Sequence, residues 1–207
     1  MNDHTRRHLL LTGASLLALS GCGHLLEPDN APNKIYVLSP DLPQMAGAQR
    51  LSWQIAVAPP EASSSLVTSR IAILRAQEMD YFADAEWTDT APQLLQALFV
   101  EALEKNGVTA ATDVAGIHAD YILQSELRAF EARYDHADAA PTIVVDMTVK
   151  LMVTKSAAIA ASRDFRQEQP ASANTVPGAV QAFDQAVAAL IADVVPWVRQ
   201  AASAAKA

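Results

Sequence analysis

The sequence predicts an α+β domain: a mainly antiparallel or mixed β-sheet with two amphipathic helices packed on one face. Three stretches carry that expectation. Ile143, Val145, Met147, Val149, Leu151 and Val153 alternate with Asp146, Thr148, Lys150 and Thr154, the period of a strand with one buried and one wet face. Leu94, Leu95, Leu98, Phe99, Ala102 and Leu103 recur at helical spacing. Val176, Val180, Phe183, Val187, Leu190, Val194 and Trp197 step by three and four residues, which is a second helical seam. Two apolar helix stripes and a half-wet sheet bury one another most economically as two layers.

The remaining elements follow in chain order. Lys34–Ser39 is rich in β-formers and stops at Pro40. Trp53, Ile55 and Val57 alternate until Pro59-Pro60 ends the run. Residues 69–74 and 81–87 are candidate strands of a hairpin turning near Gln77-Glu78. The first helix begins near Thr90, where Thr90 and Gln93 have capping-box spacing and Pro92 sits in the tolerant first turn. Asn106-Gly107 supplies its stop. Tyr121, Leu123 and Leu127 alternate with Gln124, Glu126 and Arg128, a strand that a loop over residues 135–141 joins to the next. Residues 159–165 form a further strand after a turn near 155–157. Pro196 removes a hydrogen bond from the last helix, so a kink or stop is expected there, with a frayed tail at 201–207.

The N-terminus reads as an export signal. Arg6 and Arg7 precede an apolar stretch from Leu9 to Leu19, and Leu19-Ser20-Gly21-Cys22 follows directly. A membrane-spanning helix needs about 20 apolar residues, so this stretch is too short to span. Leu-Ser-Gly-Cys resembles the lipobox of bacterial lipoproteins, with Cys22 the lipidated residue. The alternative is an ordinary signal peptide with a chance cysteine. Cys22 is the one cysteine of the chain, which leaves no intrachain disulfide. One acyl chain anchors only marginally at about 0.8 kcal/mol per methylene, so two or three are needed for a stable anchor. Thr5–Leu10 also resembles a twin-arginine signal, and Gly23 in place of an aspartate favours the outer membrane. The expected organisation is a signal peptide at 1–21, a lipidated tether at 22–33 rich in Pro, Asp and Asn, and one periplasmic domain at 34–200.

Composition narrows the function. The chain has 207 residues and a formal net charge of −8. Removing residues 1–21 takes basic residues from 15 to 13 and acidic ones from 23 to 22, for a net charge of about −9. Without a basic stripe, nucleic acid is not an expected partner. An acidic surface is not drawn to anionic lipid either, so anchoring falls to the acyl chains. There is no Gly-x-Ser-x-Gly elbow, no His-Glu-x-x-His and no phosphate loop in the mature chain. Its histidines are His24, His118 and His136. Asp135, His136 and Asp138, with Glu131 upstream, are plausible metal ligands by type, but they read better as a polar hairpin turn. Glu61 with Ser63, Ser64 and Ser65 reads as a polar loop, Arg128 and Arg133 as decoration of a wet strand face, and Trp53, Trp87 and Trp197 as core anchors. No catalytic, metal or cofactor-binding residue is expected, and the chain is not expected to be an enzyme.

The order of these motifs resembles the ABC-type transport auxiliary lipoprotein family. The matching pieces are Ile35–Pro40, Ile55–Pro60, Leu66–Ile71 with Arg70, Tyr81-Phe82, Trp87–Asp89 before Pro92, Ala119–Leu123 with Leu127 and Phe130, Ala182-Phe183-Asp184, and Trp197. The resemblance implies a lipid-anchored protein on the periplasmic face of the outer membrane. It implies work with a mammalian-cell-entry (MCE) protein and an ABC permease and ATPase in moving lipids across the envelope. It also implies homo-oligomeric rings in some members. The competing expectation is a structural or assembly lipoprotein of an outer-membrane complex.

Overall fold

The computed structural model describes residues 33–112, 118–136 and 138–205. The expected signal peptide, Cys22 and all of the tether but Asn33 lie outside the described residues.

A long strand organises the sheet. β1 is Lys34–Tyr36, β2 Gln54–Val57, β3 Glu61–Ala62, β4 Arg70–Arg75 and β5 Glu78–Trp87. Helix α1 spans Ala91–Lys105, then come β6 Thr109–Thr112, β7 Tyr121–Tyr134, β8 Thr142–Val153, β9 Ala158–Pro170 and helix α2 Val176–Ala205. Along one edge of β7, three short strands pair parallel in succession: β2 with Tyr121–Leu123, β3 with Glu126-Leu127 and β4 with Glu131–Tyr134. On its other edge β8 pairs antiparallel, and β9 pairs antiparallel with β8. β5 continues from β4 antiparallel, β1 joins β5 in parallel, and β6 joins β2 in parallel. The sheet is therefore mixed and the fold α+β, as the periodicities predict.

The alternation in β8 suits its place between β7 and the edge strand β9. Ile143, Val145, Met147, Val149 and Leu151 are all fully buried. Val144, on the opposite face, is buried too, beside Glu131 of β7, so the wet face is interrupted there between Thr142 and Asp146. β3 and β6 were not expected from the sequence. Glu-Ala and Thr-Ala-Ala-Thr carry no strand pattern, and pairing with β7 and β2 supplies what propensity does not.

α1 starts at Thr90, but the capping box does not form. Thr90 makes no side-chain cap bond; instead the Asp89 carboxylate accepts from the Thr90 N–H at 2.6 Å. α2 departs further from expectation. It does not stop at Pro196 but runs on to Ala205. Residues 201–205 are thus helical rather than a frayed tail, and Ala202 is fully buried. The physical reason is packing beyond the proline: Val198 and Ala202 remain in the core, and the Tyr121 hydroxyl donates to the Ala202 carbonyl at 2.9 Å. One lost backbone bond is outweighed by that burial. The buried stripe is also wider than the expected seam. Ile191, Val195 and the small residues Ala179, Ala182 and Ala186 join it, while Val176, Val180 and Trp197 are only half-buried. By length and composition α2 could cross a membrane, yet in this fold its apolar stripe is the floor of the core.

α2 lies over β8 and β9, α1 lies beside β6 and β2, and the two helices touch. Trp87, Phe130 and Phe183 meet between the layers, with ring centroids 4.8 to 6.1 Å apart. Aromatic contacts of this kind add about 0.5–1.5 kcal/mol beyond area burial. Trp53 and Tyr121 meet edge-on at 5.3 Å, and Phe165 and Trp197 at 5.5 Å. All three tryptophans are thus packing residues, Trp197 only in part.

Candidate functional site

Three polar constellations stand out among the described residues. The first surrounds a cleft of about 580 Å³ at the start of β7, lined by Trp53, His118, Asp120, Tyr121, Val153 and Lys155 among others. Its geometry follows from the parallel pairing of β2 and β7. The Asp120 carboxylate accepts from the Gln54 N–H at 2.8 Å, the Asp120 N–H donates to the Gln54 carbonyl, and the Asp120 carbonyl accepts from Thr154 N–H at 3.0 Å. Burial, and then the charge of Asp120, pushes the Tyr121 hydroxyl above its ordinary value. Tyr121 therefore stays protonated and serves as a donor to Ala202 rather than as a base or nucleophile.

The second constellation lies on the outer face of β7, β8 and β9. A register shift after Leu127 places Arg128 over the middle strand. Its guanidinium donates to Asp146 at 2.6 and 3.1 Å, to Asp164 at 3.1 Å, and to the Thr148 hydroxyl. Arg166 reaches the other Asp146 oxygen at 2.9 Å and Glu168 at 2.6 Å. The hydrogen bond with Asp146 is the largest influence raising the pKa of both arginines. Asp164 is held below its usual range by the Thr148 hydroxyl and then by Arg128. Two guanidinium groups share three carboxylates, so the charges are spent on each other across three strands. Arg128 lies on the wet face, as expected, with its donors engaged by Asp146, Thr148 and Asp164.

The acidic turn does not assemble as a ligand set. Glu131 is buried and turns to Arg133 at 2.8 Å, while its other oxygen accepts from the Phe130 N–H at 3.1 Å. Asp135 and His136 are exposed at the turn, where the His136 carbonyl accepts from the Ala139 N–H. Among the described residues no three His, Cys, Asp or Glu side chains come together as a metal would require. Glu61 belongs to β3 rather than to a loop, opposite Glu126, and the Ser63 and Ser65 hydroxyls bond each other at 2.7 Å.

The third constellation escaped the sequence reading, which took Asn106-Gly107 only as a helix stop. Asn106 is fully buried at the end of α1. Its amide donates to the Pro43 and Ala102 carbonyls at 2.9 and 2.8 Å and accepts from the Met45 N–H at 2.7 Å. Gly107 has φ +78°, and a Cβ there would lie 2.7 Å from the Gln49 carbonyl oxygen. The close approach of residues 49–51 demands glycine.

Comparison with known proteins settles the family. The family model described as the ABC-type transport auxiliary lipoprotein component matches residues 36–195. The chain belongs to that family. The match runs from the end of β1 into α2 and includes the second and third constellations, and the first apart from its contacts with Ala202 and Ala205. The crystal structure of protein XCC0632 from Xanthomonas campestris superposes with a TM-score of 0.76 at 25% identity, covering 82% of this chain and 97% of that one. Another solved structure, of an uncharacterized protein, shares the fold with a TM-score of 0.64 at 15% identity over 81% of this chain and 99% of the other. The uncharacterized protein bll6063 of Bradyrhizobium diazoefficiens is 28% identical over 160 residues, 75% of this chain. The match spans 42% of that protein's length.

Proposed function

We propose that this chain is a non-catalytic auxiliary component of an ABC-driven, MCE-type envelope lipid transport system, held on the periplasmic face of the outer membrane by acyl chains on Cys22. The observation that carries the reading is the family match from residue 36 to residue 195. Leu19-Ser20-Gly21-Cys22 supports the anchor, and Gly23 supports the outer membrane. The sequence carries no phosphate-loop motif, which supports a reading in which a partner ATPase supplies the energy.

The role is docking. Both helices spend their apolar stripes on the core, which leaves the sheet edges and the loops for partners. The buried tyrosine and the internally matched arginines leave the polar constellations occupied with the fold. The partner is an MCE-domain protein with its permease, and the anchor keeps the domain at the membrane where that complex works.

Labelled palmitate and membrane fractionation test the anchor. The parent chain should incorporate label and sediment with the outer membrane, and Cys22→Ala should do neither. Equal labelling of both forms, or sedimentation with the inner membrane, contradicts this part of the reading.

A further inference from the structure

The last strand of the sheet has an unused edge. β9 pairs with β8 on one side, and among the described residues nothing pairs with the other. It is 13 residues long, and an edge of that length is a template for another strand. Its charges are arranged as mirror partners about Phe165: Asp164 on one side and Arg166 on the other.

We propose that β9 pairs antiparallel with β9 of a second copy of this chain, across a two-fold axis at Phe165. A two-fold perpendicular to the sheet keeps faces together, so the axis must pass through a residue rather than between two. Among registers that pair most of β9, centres at Arg163 and Arg166 set an arginine against itself. A centre at Asp164 sets that carboxylate against itself, a centre at Ser162 matches no charges, and a centre at Gln167 matches Arg166 with Glu168 but pairs only residues 164–170, against 160–170 for the centre at Phe165. The centre at Phe165 sets Asp164 opposite Arg166 of the second copy, twice, with no like charges facing; both keep their partners within the chain, and Asp164, with its side chain 72% exposed, has room for a second. Directly opposed charges stabilise a strand pair when opposite and destabilise it when alike.

The inner face agrees independently. In the same register Arg163 faces Gln167 of the second copy, and the Gln167 amide donates to Asp193 of α2 at 2.7 Å. Arg163 thus approaches an opposite charge there too. Trp197, half-buried and edge-on to Phe165 at 5.5 Å, stands beside the axis, where a second Trp197 completes its burial. α2 lies over the β8–β9 seam, and strands are about 4.8 Å apart, so the two copies of α2 come to lie about 10 Å apart, the spacing of packed helices. The exposed flank of α2 carries Gln181, Gln185, Ala189, Ala192 and Gln200, with Asp193 beside them held by Gln167. Such a pairing closes at two copies and is distinct from a ring.

Disulfide trapping in the full chain, extracted from membranes in detergent, tests the register. Ser162 and Glu168 are both exposed and become direct neighbours across the axis, but within one β9 they are six residues, about 20 Å, apart. The Ser162→Cys, Glu168→Cys chain should give a reducible dimer under mild oxidation, and the Ser162→Cys, Arg166→Cys chain, matched to the wrong register, should not. Light scattering of the parent should give twice the chain mass. Asp164→Lys, which puts a lysine opposite Arg166 of the second copy, should raise the dimer dissociation constant at least about tenfold. A monomer at tens of micromolar, trapping that is equal in both cysteine pairs, or an assembly larger than two without the 162–168 crosslink overturns the proposal.

Discussion

The guanidinium of Arg199, near the end of α2, donates to the main-chain carbonyl of Asn106, the residue that closes α1. It also reaches the Gln49 carbonyl at 3.4 Å. One side chain thereby ties the ends of both helices to the segment preceding β2. Removing Asn106 leaves the Pro43 and Ala102 carbonyls and the Met45 N–H without their partner; the Ala102 bond is buried and the other two partly so, and a buried orphan costs about 1–3 kcal/mol. Asn106→Ala should therefore lower unfolding stability by about 2–4 kcal/mol in urea denaturation. Arg199→Ala should cost less, about 1 kcal/mol, because its head is partly solvated. Equal and negligible effects would show that the helix ends are not held in this way.

Leu190 is fully buried in the middle of α2, whereas Gln185 is exposed on the same helix. Leu190→Ala should cost about 2–5 kcal/mol and visibly lower the melting temperature, while Gln185→Ala should stay within about 0.5 kcal/mol. If both are silent, the stripe is not core, and α2 has to be sought at a partner or in a membrane.

Asp184 on α2 accepts the Ser39 N–H at 2.7 Å, which fastens the chain after β1 to the helix. Burial raises its pKa above the ordinary 3.8, and the Ser39 hydrogen bond only partly opposes this. The folded protein thus holds a proton here at a pH where the unfolded chain has lost it. Stability from this group is greatest below 3.8 and is lost as pH rises through the raised folded value. Asp184→Asn keeps the acceptor oxygen and removes the charge. The variant should equal or exceed the parent in stability at pH 7, and that advantage should shrink as the pH falls toward 3.8. Chemical denaturation at several pH values reads this directly; a variant less stable at pH 7 than at pH 4 relative to the parent contradicts the sign.

Strong periodicity was the part of the fold legible in the sequence. β8 and α1 could be read because each sustains one period over many residues, and α2 because its apolar stripe is long. β3 and β6 could not be read, because two and four residues hold no period and their pairing is imposed by β7 and β2. Pro196 misled because a local rule about helix stops lost to burial of Val198 and Ala202 further on. The polar constellations are assembled across the sheet. The Arg128 cluster joins residues 18 and 36 positions apart, and the Asn106 cluster joins residues 61 to 93 positions apart. No local pattern announces such meetings. The family was legible instead in the order of short motifs along the chain, and the family match covers residues 36–195.

Affinity purification of the tagged full chain from detergent-extracted membranes, after mild crosslinking, tests the central claim that this domain docks onto a transporter. MCE-domain and ABC permease subunits should be recovered with the parent chain and reduced when Cys22→Ala removes the anchor. Recovery of outer-membrane assembly or peptidoglycan-associated proteins alone, with no transporter subunit, would contradict it.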